Sequence, residues 1–328
     1  MPDSQFDVLG IGNAIVDVLA RADEAFLAQH SLVKGTMRLI DEHQARQLYE
    51  EMQSGVESSG GSVANTMAGI AALGGRAAFI GRVRNDQLGD IFRHDITAIG
   101  VHFSTPAATS GPATAKCLIL VTPDAERTMN TYLGASTALG PSDVDPDLVA
   151  ASKITYLEGY LWDPEEAKKA FIQASGLAHR SGRKVALSLS DPFCVDRHRR
   201  EFRELVAEEI DILLANEEEI KSLYEVEHFD EALQLVRGEC ELSVLTRSAA
   251  GSVIVNGEET HVINAAPVDE VLDATGAGDL FAAGFLHGYA NDFDLVRAAR
   301  LGARTAAEAI SHFGARPETD LKAFIEHL

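Results

Sequence analysis

The chain is short of cysteine, of positive charge and of long apolar runs. Its three cysteines, Cys117, Cys194 and Cys240, lie far apart in 328 residues, and none sits in a Cys-x-x-Cys pair. That scatter argues against a disulfide framework or a thiolate zinc site and reads as reduced core thiols in a cytoplasmic protein. Lysine and arginine number 28 against 50 aspartates and glutamates, a formal charge of −22. Nucleic-acid binding needs a basic surface, so that class is set aside. No apolar run reaches the ~20 residues of a membrane-spanning helix. Residues 1–7 show neither the basic nor the apolar region of a secretory leader, so a cytoplasmic location is expected.

Two nucleotide-binding signatures are missing as well. There is no Gly-x-x-x-x-Gly-Lys-Ser/Thr P-loop, and Gly10-x-Gly12 lacks the third glycine of a dinucleotide fingerprint because Ile15 stands in its place. A dehydrogenase reading is therefore weak. Internal repeats, low-complexity tracts and linkers are absent too, and the composition is that of an ordinary globular chain. A chain of this length can bury the core of one large α/β domain or two smaller ones.

What the chain does have is Asp273-Ala-Thr-Gly-Ala-Gly-Asp279, opening the apolar run Leu280-Phe-Ala-Ala-Gly-Phe-Leu286. Gly276, Ala277 and Gly278 allow a sharp turn and a close backbone approach. The start of the following helix leaves unpaired N–H groups at the positive end of its dipole, which suits a phosphate. Asp279 is out of place in an anion site unless it does chemistry. As a base taking a proton from a hydroxyl, beside a hole that steadies a transferring phosphoryl group, it fits both features. The plainer alternative makes Thr275 or Asp279 a helix cap.

A second small-residue turn, Ser58-Ser-Gly-Gly-Ser-Val-Ala-Asn65, runs onto a helix-like stretch stopped by Gly74-Gly75. It is either a cap and loop or a backbone cradle for a polyhydroxylated ligand, with Asn65 reaching into the site. Strands are expected at residues 6–11, 14–20, 37–40, 77–81, 154–157, 184–189, 211–215 and 242–246, and helices at 164–179 and 217–224. Residues 114–121 and 127–133, joined by a turn at 123–126, read as a hairpin. Continuously apolar strands alternating with helices predict a parallel sheet covered on both faces. Ligands of such sheets bind beyond the strand C-termini. Asp191, Asn216, Glu219, Thr246 and Asp279 all fall just after strand ends. The hairpin and residues 14–40 predict a small sheet that acts as a lid, excluding water.

Gly60-Gly-Ser-Val-Ala-Asn65, Asn216-Glu-Glu-Glu219 and Asp273-Ala-Thr-Gly-Ala-Gly-Asp279, in this order and at these separations, resemble the ribokinase-like (PfkB) carbohydrate and nucleoside kinases. The likeness runs from about Phe6 to Pro317. It implies a three-layer α/β/α domain with a mostly parallel sheet (residues 1–13, 41–102 and 136–328) and a small β lid (14–40 and 103–135). It also implies Asp279 as base, with Gly276, Ala277 and Gly278 forming the anion turn. Glu219, with Asn216, would hold Mg2+ through water or touch the nucleotide phosphates, and Asn216, Thr246, Ser248, Gly251 and His312 would line the ATP site. Asp273 would lie where members bind a monovalent cation such as K+.

Within the family the likeness is strongest to nucleoside kinases. It places Asn13, Asp17, Gly61, Ser62 and Asn65 on a ribose, Leu133 and Tyr160 against a purine, and Arg127 on phosphate. The expected activity is ATP- and magnesium-dependent phosphorylation of a purine nucleoside 5′-hydroxyl. A sugar kinase of ribose or fructose type and a non-catalytic nucleoside binder are the alternatives. The partners implied are small molecules, without nucleic acid or membrane, in a monomer or homodimer.

Overall fold

The computed structural model describes residues 4–124, 126–326 and 328. Residues 1–3, read above for a leader, and Ala125, in the expected 123–126 turn, lie outside the described residues. The chain begins in a buried strand, β1 (Phe6–Ile11), then leaves for β2 (Ile15–Arg21), β3 (Met37–Leu39) and β4 (Val56–Gly60). It returns for β5 (Ala77–Ile80), leaves again for the hairpin β6 (Ala115–Val121) and β7 (Arg127–Tyr132), and then adds β8 (Ser152–Glu158), β9 (Lys184–Ser188), β10 (Ile212–Asn216), β11 (Leu242–Thr246), β12 (Ser252–Asn256) and β13 (Glu259–Ile263).

Two sheets result. The larger has the order β13-β12-β11-β10-β9-β8-β1-β5, parallel from β11 through β5, with the antiparallel pair β12 and β13 on one edge. Its strands alternate between two cores. On β10, Ile212 and Leu214 face one side with the helices Ser62–Ala72, Ala277–Ala290 and Leu295–Ala309. Leu213 and Ala215 face the other, with Glu165–Arg180, Pro192–Glu209 and Glu217–Tyr224. This is the expected three-layer α/β/α arrangement, and it is ribokinase-like.

The smaller sheet has the order β3-β7-β6-β2-β4. Its membership differs from the expected lid of 14–40 and 103–135. Val56–Gly60 pairs antiparallel with β2, Ile15 opposite Gly60, so part of 41–102 belongs to this sheet. Val56-Glu-Ser-Ser-Gly60 has one apolar residue and no strand pattern of its own; the edge of β2 makes it a strand.

One close contact fixes the site. Gly69 of the Ser62–Ala72 helix faces Ala283 of the Ala277–Ala290 helix. A Cβ on it would lie 2.6 Å from Ala283 Cβ and 2.8 Å from Leu280 Cδ1. Both helices therefore start side by side, beyond the C-terminal ends of the parallel strands.

Candidate active site

A cavity of about 760 Å³ opens between the strand ends of the large sheet and the inner face of the small one. It is lined by Asn13, Asp17, Gly61, Ser62, Asn65, Leu133, Tyr160, Asn216, Glu219, Thr246, Gly276, Gly278 and Asp279 among the residues named from sequence. The fold thus gathers into one space residues more than 260 positions apart in the chain.

Asp279 occupies the first turn of the Ala277–Ala290 helix, and neither Thr275 nor Asp279 caps it. The cap position is Gly276, at φ +80, and no side chain bonds the helix start. Thr275 instead donates its N–H to Asp273 Oδ1 (2.9 Å). A left-handed conformation here favours glycine, and a Cβ would also come 2.5 Å from Ala315 Cβ. The helix ladder begins with Leu280 N–H on Gly276 O (2.8 Å), which places the Gly278 and Asp279 N–H groups at its open end. A Cβ on Gly278 would meet nothing within 4 Å. The space over the turn is the cavity itself, free for a phosphoryl group.

The Asp279 carboxylate is aimed by the neighbouring helix. Ser62 Oγ donates to its Oδ1 (2.7 Å) and Asn65 Nδ2 to its Oδ2 (3.0 Å). Burial pushes this carboxyl up to about 6, against the pull of those two hydrogen bonds and of Arg316. Asp17, on β2, is likewise raised by burial to about 6, while Arg316 and Arg127 pull it down and Asp279 pushes it up. Asn13 lines the same wall. Its Nδ2 and backbone N–H go to Glu158 (2.5 and 3.2 Å), leaving its Oδ1 for a ligand.

At the other end, Asn216 and Glu219 form a capping box. Glu219 accepts from Asn216 N–H (2.9 Å) and Nδ2 (2.5 Å) and returns its own N–H to Asn216 Oδ1 (2.9 Å). Burial, reinforced by Asp191, pushes the Glu219 carboxyl up to about 7. A nearby cation would relieve that cost. Each carboxylate oxygen keeps acceptor capacity for water, so the pair suits a magnesium ion that retains most of its waters. Of the acidic run, Glu217 pairs with Arg247 (2.9 Å) and Glu218 with Lys221 (2.7 Å), leaving only Glu219 turned inward.

Other expected residues stand outside the lining. Arg127, read as a phosphate contact, pairs its Nη1 with Asp273 Oδ2 (2.6 Å), both nearly buried, and so ties β7 to the glycine turn. Asp273, read as a cation ligand, also accepts Gly314 N–H (2.9 Å). His312 lies with Nε2 3.3 Å from Glu308 Oε1. Ser248 and Gly251 shape the turn after β11, where Gly251 N–H meets Ser248 O (3.0 Å).

Several residues of the site were not assigned from sequence. Glu158, 1% exposed, also takes the Val63 N–H (3.1 Å), and burial pushes it up to about 7. Arg316 reaches the start of the Ser62–Ala72 helix. Met37, Leu39, Ile119 and Met129 give the small sheet an apolar inner face, with Phe193, 76% exposed, at the same cavity. Met37 and Leu39 alternating around Arg38 in β3, with the apolar run 117–121 in β6, were the signal for the apolar face; an acid closing the apolar run 154–157 was the signal for Glu158.

Among the described residues no helix is long and apolar enough to cross a membrane. A family model described as pfkB family carbohydrate kinase matches residues 34–321. The chain is 26% identical to adenosine kinase of Saccharomyces cerevisiae over 335 residues, covering 93% of this chain and 94% of that one. The solved structure of adenosine kinase from Sinorhizobium meliloti is 50% identical at a TM-score of 0.90, covering 99% of each chain. That of a probable sugar kinase protein from Rhizobium etli CFN 42 is 48% identical at 0.91, covering 99% of this chain and 98% of that one.

Proposed function

The chain belongs to the pfkB family of carbohydrate kinases, and on that premise we propose that it moves the γ-phosphoryl group of ATP onto the 5′-hydroxyl of a purine nucleoside, adenosine to AMP. The observation that carries this is Asp279: a carboxylate fixed by Ser62 and Asn65 at the open end of a helix, in the cavity, with its carboxyl raised to about 6. At neutral pH it is ionised yet more basic than an exposed aspartate, which suits a general base.

In this reading Asp279 takes the hydroxyl proton while the Gly278 and Asp279 N–H groups receive the phosphoryl oxygens. Asn13 Oδ1, Asp17 and the Gly61 turn hold the ribose. Asn216 and Thr246 border the nucleotide end, with Glu219 set to position magnesium through water. Magnesium, when bound, neutralises charge on the phosphates. The small sheet covers the cavity and keeps water from competing for the phosphoryl group. Catalysis of this kind is chiefly positioning and electrostatics.

The acceptor follows from the apolar surface. Met37, Leu39, Ile119, Met129 and Leu133 lie on the lid side of the cavity, with Tyr160 and Phe193 also lining it. A purine presents flat apolar faces to such residues, whereas a free sugar presents hydroxyls. The likeness to two adenosine kinases supports the same acceptor. Likeness to the Rhizobium etli protein favours a sugar instead.

The test is ADP release from ATP and magnesium with adenosine, inosine, guanosine, ribose or fructose as acceptor, and with potassium present or absent. Selective turnover of adenosine is expected. Turnover with sugars alone would keep Asp279 as base and overturn the acceptor. Adenosine binding without turnover on any acceptor would leave a nucleoside-binding protein.

A further inference from the structure

One arginine beside this cavity has no part in the reaction described above. Arg316 follows the Gly314-Ala315 step that packs on the glycine turn, where Gly314 N–H meets Asp273 and Ala315 faces Gly276. From there its guanidinium extends to the end of β4 and the start of the Ser62–Ala72 helix. Nε and Nη2 donate to Ser59 O (3.2 and 2.6 Å), Nη2 also to Ser59 Oγ (2.9 Å), and Nη1 to Ala64 O (3.2 Å). Ser59 ends β4 with Gly60, and Ala64 lies in the first turn of the Ser62–Ala72 helix. One planar fork therefore spans the junction that carries Ser62 and Asn65, the two donors to Asp279. Asp95 holds Ser59 from the other side, through its N–H (2.7 Å) and Oγ (2.5 Å).

We propose that Arg316 is a positioning residue for phosphoryl transfer: its fork fixes the start of the Ser62–Ala72 helix so that Ser62 and Asn65 aim Asp279, and its charge balances the carboxylates of Asp17 and Asp279. The proposal rests on Asp279 as the base. The charged and titratable groups facing this pair include Arg316, Arg127 from β7, Cys117 from β6, Tyr156 and Glu158 from β8 and Tyr160 beyond it, while Asp95 on the Gln87–Ala98 helix faces Arg316. Arg316 opposes the effect of burial on both acids, while Arg127 acts on Asp17. A guanidinium stays charged when buried, and its planar fork serves several acceptors at once. A lysine keeps the charge and loses the fork.

The experiment compares wild type, Arg316→Lys and Arg316→Met in adenosine phosphorylation and in thermal unfolding, from about pH 5 to 9. Arg316→Met is expected to lower kcat about 10- to 100-fold through misplacement of the base and to move the acid limb of the kcat profile to higher pH. Arg316→Lys returns the limb to its wild-type position while kcat stays low. In unfolding, the Tm deficit of Arg316→Met widens as pH rises and the two acids ionise without their counter-charge, whereas that of Arg316→Lys stays level. The unfolding arm needs no substrate. A protein inert towards nucleosides would fail the proposed function, and the Tm series would still decide this inference. An unmoved acid limb, or a Tm deficit in Arg316→Met that does not change with pH, would overturn it and leave Arg316 a structural clamp.

Discussion

Asp279 serves the reaction at the expense of the fold. Its carboxyl is raised by burial from 3.8 to about 6, so folding favours the protonated form. The associated stability is complete below the unfolded value of 3.8 and is lost as pH rises through 6. At neutral pH the ionised side chain weakens the native state, a common feature of groups kept for function. Asn65 can follow a change here, because its Oδ1 is buried without a partner and could accept from a new amide once the side chain flips. Asp279→Asn is therefore expected to lower kcat by about 10²- to 10⁴-fold, to leave adenosine binding close to wild type and to raise Tm above wild type at pH 8 but not at pH 4. Calorimetry at both pH values, with turnover measured alongside, checks this. A variant with near-normal kcat would remove Asp279 as base.

At the scale of elements, the site depends on two helices that start together. Gly69 lets them approach, with Ala283 Cβ and Leu280 Cδ1 filling the room a side chain would need. Gly69→Ala pushes the Ser62–Ala72 and Ala277–Ala290 helices apart, at a cost of about 1–3 kcal/mol for overpacking. The expected result is a lower kcat with a smaller change in KM for ATP, because Asn216 and Thr246 sit on other strands. Equal loss in both parameters would mean the whole cavity had deformed.

This helix pair also marks what the sequence makes legible. The glycine turn with its Asp279 and the Gly60-Gly61 turn are readable because small residues before an apolar run mark a turn onto a helix start. Buried strands such as β1 and β11 are readable as continuous apolar runs. Glu158 and Arg316 are not readable in the same way, since their partners lie 145 and 257 residues away and only the folded chain selects them. Val56–Gly60 fails for a related reason: its strand state belongs to β2. Arg127 and His312 carry pairings that the sequence did not show. Likeness places ligands at both, and in the folded chain Arg127 also meets Asp273 while His312 lies beside Glu308.

At the scale of the molecule, the cavity concentrates unfavourable charge. Burial raises Asp17 and Asp279 to about 6, and Glu158 and Glu219 to about 7, all lining one space in a chain of net charge −22. Each such acid gives its full stability below its unfolded value and loses it as pH rises through its folded value. Other groups work the other way, among them the lowered carboxyls of Asp7, Asp163, Glu201 and Asp273, which act only in acid, and His287. Asp7 lies under burial but is held down to about 2 by Arg76 and Lys153, and its contribution is lost only in strong acid. His287 is pushed down by burial, so the fold gains as pH rises through the histidine range. Four acids outweigh one histidine. Tm of the unliganded protein is therefore expected to fall between about pH 5 and 8 at constant ionic strength, where paired surface carboxylates alone would give a rise or a plateau. Added salt should lift the pH 8 value by screening the net negative charge. A Tm that climbs from pH 5 to 8 would show that the four carboxylates are not buried together as described, and the base assigned to Asp279 would lose its elevated basicity with them.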